Sequence, residues 1–318
     1  MDNPFATTSP TRLYALLLKL RPIQYGTLMP FSGELVHAAW LNWLRAATPE
    51  VATWLHEGNR RRLFTCSSLQ FPVPPARMRE AEKENTHLPV TPEKTCTIRI
   101  TLLLGELFPL FYNALADFNL MALTGDKRPP FIQIGKQTFL LEEVIADPEN
   151  STGWANFTSF TDLAEKVRAT KLRSTEHIKL EFASLTTFNR SSARTREYGS
   201  HHALLPLPEY VFSGLARRWQ ELAPPELADI IQKDPLEQYI KDDGIIITDY
   251  DLRAHHVKFT THLQSGFIGK CQYTLRSPDE AAEGGLSIRQ QLLLLAQFSF
   301  YCGVGYKTAM GMGQVRAL

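Results

Sequence analysis

The segment TPEVATWLHEGNRRRLFT, residues 48–65, sets a titratable imidazole within a few positions of fixed positive charge. Thr48 is a natural N-cap, Pro49 suits the first helical position, and Gly58 suits the residue just past a helix end. The spacing predicts a short helix ending near His56 and Glu57, with His56 in its last turn. There the helix dipole favours the protonated imidazole and poises it to give up a proton near neutral pH. Arg60, Arg61 and Arg62 follow at once. An acid beside guanidinium groups is what cleavage of a phosphodiester needs. The histidine protonates a leaving oxygen while an arginine neutralises charge on the phosphorane. A capping histidine beside a solvated basic turn has the same local sequence.

Three further constellations stand out. The chain closes on GVGYKTAMGMGQVRAL, with Gly303, Gly305, Gly311 and Gly313 in two G-x-G pairs. Gly303 and Gly305 follow an apolar helix and can take its left-handed cap. Gly311 and Gly313 are expected on one face of a closing strand, where bare backbone admits either a ligand or a packed helix. Tyr306 stands where a phosphate loop requires the glycine before its lysine, Lys307, so the string is no such loop. The segment from Asn189 to His202 interleaves Arg190, Arg194 and Arg196 with Tyr198 and ends on His201 and His202. That composition suits phosphate contact with base stacking, and it also describes many solvated loops. A metal at His201 and His202 or at His255 and His256 is disfavoured, because adjacent residues of a strand point to opposite faces. His37, in SGELVHAAWLNWLRA, borders a helical stripe of Val36, Trp40 and Leu44 and reads equally as packing or as function.

These residues need a scaffold of alternating strands and helices. Thr11–Leu20 reads as a strand, Gly33–Arg45 as a helix, and Leu63–Phe71 as a strand. Cys96, Ile98, Ile100 and Leu102 alternate with polar residues as in a half-buried strand. Phe131–Leu141 reads as extended and Ser159–Arg168 as a short helix. The polar stretch near 170–175 separates this pattern from a second one. There Ile178, Leu180 and Phe182 mark a strand, and Val211, Leu215 and Trp219 one face of a helix from Pro208. Strands centred on Ile246, Phe259 and Tyr273, a helix from Ser287 and a last strand from Gly311 complete it. Five prolines and many charges between Pro72 and Pro92 suggest a surface loop or insertion. Two units of β-α-β-β-α-β flavour imply an α+β protein of two tandem ferredoxin-like (RRM-like) domains, residues 1–172 and 173–318.

Composition sets the outer bounds. A chain of 318 residues, 44% hydrophobic and 21% charged, is long enough for two packed domains and is balanced as globular proteins are. A formal net charge of +1 means that any nucleic acid must be held by local basic patches. The four cysteines form no C-x-x-C pair and read as reduced, buried thiols. With neither a leader-like start nor an unbroken apolar span, the chain reads as cytoplasmic.

Four strings occur in a recognisable order: ATWLHEGN followed by RRLFT, PLPEYVFSGLARRW, SGFIGKCQYTL, and the closing GVGYKTAMGMGQV. In them the chain resembles the CRISPR-associated repeat-RNA endoribonucleases of the RAMP superfamily, the processing nucleases called Cas-six. The resemblance implies two ferredoxin-like domains and binding of the repeat in a precursor transcript. It also implies cleavage without metal or other cofactor, in which the RNA's own 2′-hydroxyl attacks to leave a 5′-hydroxyl and a 2′,3′-cyclic phosphate. The family's catalytic histidine falls on His56 and its lysine on Arg62, which keeps the charge but not the proton-accepting amine. Where some members carry a tyrosine on the first helix this chain has Leu41, and His37, one turn earlier, is the candidate to replace it. Arg60, Arg61, Arg190, Arg194, Arg196, Lys307 and the four closing glycines are the expected RNA contacts. Subunits of an effector complex and a second copy of the chain stay open as further partners, and no membrane is expected. The competing reading is a RAMP-type subunit that binds RNA without cutting it.

Overall fold

Leu16, Leu18 and Leu20 share one face of the first strand, β1 (Arg12–Pro22), because side chains alternate along extended backbone. Each is fully buried, and in the antiparallel ladder they stand opposite Ile100, Ile98 and Cys96 of another strand, Cys96–Leu102. The computed structural model describes residues 12–47, 49, 63–112, 131–173, 176–190, 201–277 and 285–318. These fall into two units. The first comprises Met1–Phe157 with Lys258–His262 and Ala309–Gly311; the second comprises Thr158–Val257, Leu263–Thr308 and Met312–Leu318.

In the first unit the elements after β1 are β2 (Gly26–Leu28), α1 (Gly33–Ala47), β3 (Phe64–Cys66), α2 (Pro75–Glu84), β4 (Leu88–Val90), β5 (Cys96–Leu102), β6 (Phe131–Ile134) and β7 (Gln137–Ile145). The sheet runs β3-β5-β1-β7-β6. Setting the edge strand β6 aside, β1, β3, β5 and β7 take the spatial order fourth, first, third, second. With α1 after the first strand, this is the ferredoxin-like arrangement. Helix α1 turns Val36, Trp40, Trp43 and Leu44 onto the sheet, joining Leu16, Leu18, Ile98 and Ile100 in one cluster. Each leucine buried there stabilises the unit by roughly 1.5–3 kcal/mol over leaving it exposed.

The second unit repeats the plan. A short strand β8 (Asn156–Ser159) pairs with β1 in the first sheet. The second unit's elements are α3 (Phe160–Arg168), β9 (Glu176–Thr186), β10 (Phe188–Arg190), β11 (His201–Ala203), α4 (Pro208–Leu222), α5 (Pro225–Ala228), α6 (Lys233–Lys241), β12 (Ile245–Lys258), β13 (Leu263–Leu275), α7 (Ile288–Cys302) and β14 (Val315–Ala317). The sheet order β12-β13-β9-β14 is again second, third, first, fourth. Helix α7 begins at a reciprocal capping box between Ser287 and Gln290 and ends at Gly303, whose φ is 68°. Phe160, Trp219 and Phe298 join α3, α4 and α7, with ring centroids 5.0–5.5 Å apart. Helix α3 therefore packs with the second unit although it precedes the polar stretch at 170–175.

Several local expectations need correction. Residues 72–92 are not a bare loop: Pro75 opens α2, Asn85 closes it in left-handed geometry, and β4 pairs with β2. Proline at a helix start is compatible with the helix, since the missing N–H has no partner there anyway. Phe259 does not centre a strand. It sits in the turn between β12 and β13, where its N–H donates to the His262 carbonyl and its ring leans on Phe31. Phe131–Leu141 is a hairpin turned at Gly135, φ 60°. The strand read over Leu63–Phe71 is three residues, followed by single bridges at Ser67 and Gln70. The last strand starts at Val315 and not at Gly311, because Gly311 and Gly313 hold φ values of 87° and 67° that no strand permits.

Candidate nucleic-acid interface

Helix α1 starts where Ser32 Oγ accepts a hydrogen bond from Leu69 N–H at 2.9 Å, tying the helix entry to the segment after β3. Glu34 in its first turn accepts from both the N–H and the hydroxyl of Thr260, each at 2.8 Å. His37 follows one turn later. It is 7% exposed, and its ring stacks on Phe64 with centroids 5.6 Å apart and planes 18° off parallel. Phe64 is the first residue of β3 and follows Arg62 by two positions in the sequence. Leu41 is buried among Trp40, Trp43 and Leu44. His56, Arg60, Arg61, Arg62, Arg194 and Arg196 lie outside the described residues.

The closing glycines divide between the two units. Gly311 belongs to the first, where its N–H donates to the Cys66 carbonyl at 3.0 Å and its backbone bridges to Ser67. A Cβ on Gly311 would lie 2.8 Å from Gly33 Cα, and one on Gly33 only 2.1 Å from the Met310 carbonyl oxygen. Gly33, which the sequence reading passed over as an ordinary helix start, is thus the partner that makes room for Gly311.

Gly303, Gly305 and Gly313 belong to the second unit. A Cβ on each would meet a carbonyl oxygen of the chain itself: Gly313 at 2.8 Å, Thr187 at 2.5 Å and Val304 at 2.2 Å respectively. The space that glycine leaves is filled by this protein's own backbone. The loop therefore folds tightly on itself and on Thr187, with Tyr306 N–H donating to the Thr187 carbonyl at 2.9 Å.

What that loop displays is Tyr306 and Lys307. The Lys307 ammonium lies 5.5 Å from the centre of the Tyr306 ring, and the His202 ring lies 5.5 Å from it at 43°. His202 is carried by β11, which pairs with β10 so that Arg190 stands opposite His201 and Asn189 opposite His202. The Arg190 guanidinium covers the Tyr210 ring at 4.8 Å and donates to its hydroxyl. Arg190, His202 and Lys307, scattered in sequence, thus share one part of the second unit with two aromatic rings. Cations beside aromatic faces can neutralise phosphates and stack bases. The sequence reading gave neither Tyr210 nor Tyr306 a part in binding, and took Tyr306 only as ruling out a phosphate loop. Tyr210 was visible as the residue after Pro208-Glu209 at the α4 start, and Tyr306 as the aromatic between Gly305 and Lys307.

The two units match two profiles in tandem. Residues 12–165 match the CRISPR Cas6 N-terminal domain, and residues 180–315 match CRISPR-associated endoribonuclease Cas6. Two ferredoxin-like units in tandem define the class, and over both of them the chain belongs to the Cas6 family. It is similar to a Cas6 product complex, with TM-score 0.70 and 25% identity over 96% of this chain and 100% of that one. Thermus thermophilus Cas6 aligns over 98% of this chain and 100% of its own, with TM-score 0.64 and 22% identity. A RAMP protein described as binding different RNA substrates aligns over 96% and 99%, with TM-score 0.51 and 13% identity. No curated protein matches the chain. Among the described residues no helix is long and apolar enough to cross a membrane.

Proposed function

We propose that this chain cuts CRISPR precursor RNA within its repeats by metal-independent transesterification. The 2′-hydroxyl next to the scissile phosphate attacks the phosphorus. The bond to the 5′-oxygen breaks, leaving a 2′,3′-cyclic phosphate and a 5′-hydroxyl. His56 is the general acid for the leaving oxygen, His37 the base for the 2′-hydroxyl, and Arg62 the cation that offsets charge on the phosphorane. The observation that carries this reading is the stack of His37 on Phe64. It supports the reading because Phe64 follows Arg62 by two positions in the sequence.

Arg60, Arg61, Arg190, Arg194, Arg196 and Lys307 hold the RNA backbone, with Tyr210 and Tyr306 as the rings nearest to Arg190 and Lys307. Gly303, Gly305, Gly311 and Gly313 act through the loop shape that they permit. The test is incubation of the purified chain with repeat RNA in excess chelator, with the product ends identified. Cyclic-phosphate and 5′-hydroxyl ends are expected, and cleavage only on adding a divalent ion would sink the mechanism.

Burial of Leu41, where some family members carry a tyrosine, favours a second reading in which the chain binds RNA without cutting. The same incubation separates the two, since a silent binder shifts the RNA on a native gel and leaves it intact.

A further inference from the structure

We infer that Thr260 and Glu34 are positioning residues for the cleavage step, holding the start of α1 so that His37 stays seated on Phe64. The inference rests on the proposed part of His37 as the base. Thr260 lies in the turn Lys258–His262, which packs within the first unit. Its N–H and its hydroxyl both donate to Glu34 Oε2, each at 2.8 Å. A carboxylate that accepts twice from one residue is held in direction as well as in distance, and bonds to a charged acceptor are roughly twice as strong as neutral ones.

The turn that makes these bonds is itself closed and anchored. Phe259 N–H donates to the His262 carbonyl at 2.9 Å, and the Phe259 ring, 1% exposed, lies against Phe31 with centroids 4.8 Å apart. The His262 ring stacks on Phe259 at 5.0 Å and 11°. Phe31 and Glu34 flank Ser32 and Gly33, so the turn grips the chain on both sides of the helix start. Chain distant in sequence also holds the two residues between them. Ser32 Oγ accepts from Leu69 N–H at 2.9 Å, and a Cβ on Gly33 would fall 2.1 Å from the Met310 carbonyl oxygen. Ser32 and Gly33 are buried and Glu34 is half-buried, so the Glu34 contact is the one that substitution releases without emptying a buried site.

What this grip fixes is an offset between two elements. His37 rides on α1, three residues after Glu34 and on the same helix face. Phe64 belongs to the sheet, where it stands opposite Leu102 of β5. The stack between the two rings, 5.6 Å from centroid to centroid, therefore depends on how α1 is seated. A base must come within about 2.6–3.2 Å of the group whose proton it takes. A misplacement of about 1 Å can slow a reaction by roughly a hundredfold. Loosening the start of α1 should thus be felt in the rate and not in the affinity for RNA.

Single-turnover cleavage of repeat RNA by the full chain in excess chelator tests this. Glu34→Ala should cut about tenfold or more slowly than the parent, with the RNA dissociation constant changed by less than about twofold. Thr260→Val, which keeps the N–H and loses the hydroxyl, should fall between the two, and Thr260→Ser should cut at the parental rate. A general loss of stability would slow every background alike, so double variants decide. Added to His37→Ala, Glu34→Ala should cost nothing more; added to His56→Ala, it should cost its full factor. A parental rate in Glu34→Ala, a loss of affinity in place of rate, or a full further loss in the His37→Ala background overturns the inference. If Glu34→Ala unfolds the chain, Thr260→Val in the same two backgrounds decides. A parent that leaves the RNA intact, or His37→Ala cutting at the parental rate, overturns the reading of His37 and this inference with it. A slow His37→Ala beside a parental Glu34→Ala overturns the inference alone.

Discussion

Gly33, at the start of the first helix, and Gly311, near the end of the chain, lie back to back, so that a side-chain carbon on Gly311 would sit 2.8 Å from the Gly33 Cα. Neither residue tolerates a methyl group. Gly311→Ala adds a left-handed penalty at φ 87° to that clash and should cost about 1–3 kcal/mol of stability, with Gly33→Ala of similar size. Gly214→Ala is the control, because nothing lies within 4 Å of its absent Cβ in α4. That change should stabilise by about 0.5–1 kcal/mol. Urea unfolding of the three variants checks the order, and a neutral Gly311→Ala would refute the packing argument.

The cleavage reading predicts a separation of rate from affinity. His56→Ala and His37→Ala should each slow single-turnover cleavage by about 10²- to 10⁴-fold with little change in RNA affinity, because the proton moves only in the transition state. If His56→Ala cuts at the parental rate while His37→Ala is inactive, the acid lies on α1 instead. Parental rates in both discard the assignment.

Cations and rings of the second unit should be separable by salt. Removing Arg190 or Lys307 should each lower the slope of log affinity against log salt by roughly 0.7 for single-stranded RNA. Tyr306→Ala should instead weaken binding by about 1–3 kcal/mol at every salt concentration and leave the slope alone, as lost stacking does. Unchanged slopes in Arg190→Ala and Lys307→Ala would move the RNA elsewhere.

Burial pushes the thiols of Cys96 and Cys271 up to about 11. A raised thiol pKa keeps the nucleophilic thiolate scarce below that pH. At pH 8 the folded chain should resist alkylation at both positions and react only as denaturant opens it. Mass spectrometry after a timed iodoacetamide pulse reads the result directly, and rapid labelling of Cys96 in native buffer contradicts it.

What was legible in the sequence was set by local period. Strands β1, β5 and β9 declared themselves by alternation, and α4 by Val211, Leu215 and Trp219 on one face. Helix α7 was read as starting at Ser287, and Gln290 three residues on completes its capping box. The ferredoxin-like order follows from those elements, since four strands and intervening helices have few right-handed ways to close. What was not legible depended on contacts distant in sequence. Nothing near Gly33 says that Met310 will lie against it, and nothing near Tyr306 says that His202 will. Helix α2 was obscured by prolines and charges that locally signal a loop, and it is held by burial of Ala81 and by the pairing of β4 with β2. The sequence named candidate catalytic residues by type, His56, Arg62 and His37, and of these His37 alone lies among the described residues. In the second unit, the rings of Tyr210 and Tyr306 beside Arg190 and Lys307 needed the fold.

The first unit takes residues 258–262 and 309–311 into its own packing, where Thr260 binds Glu34 and Gly311 binds Cys66. During synthesis the N-terminal half therefore leaves the ribosome before the pieces that finish it have been made. The partners that Glu34 and Gly33 meet in the finished unit, Thr260 and Met310, are made long after them. The packing of the first unit is thus completed only by residues made after most of the second unit, out of the order in which an N-terminal domain is complete first.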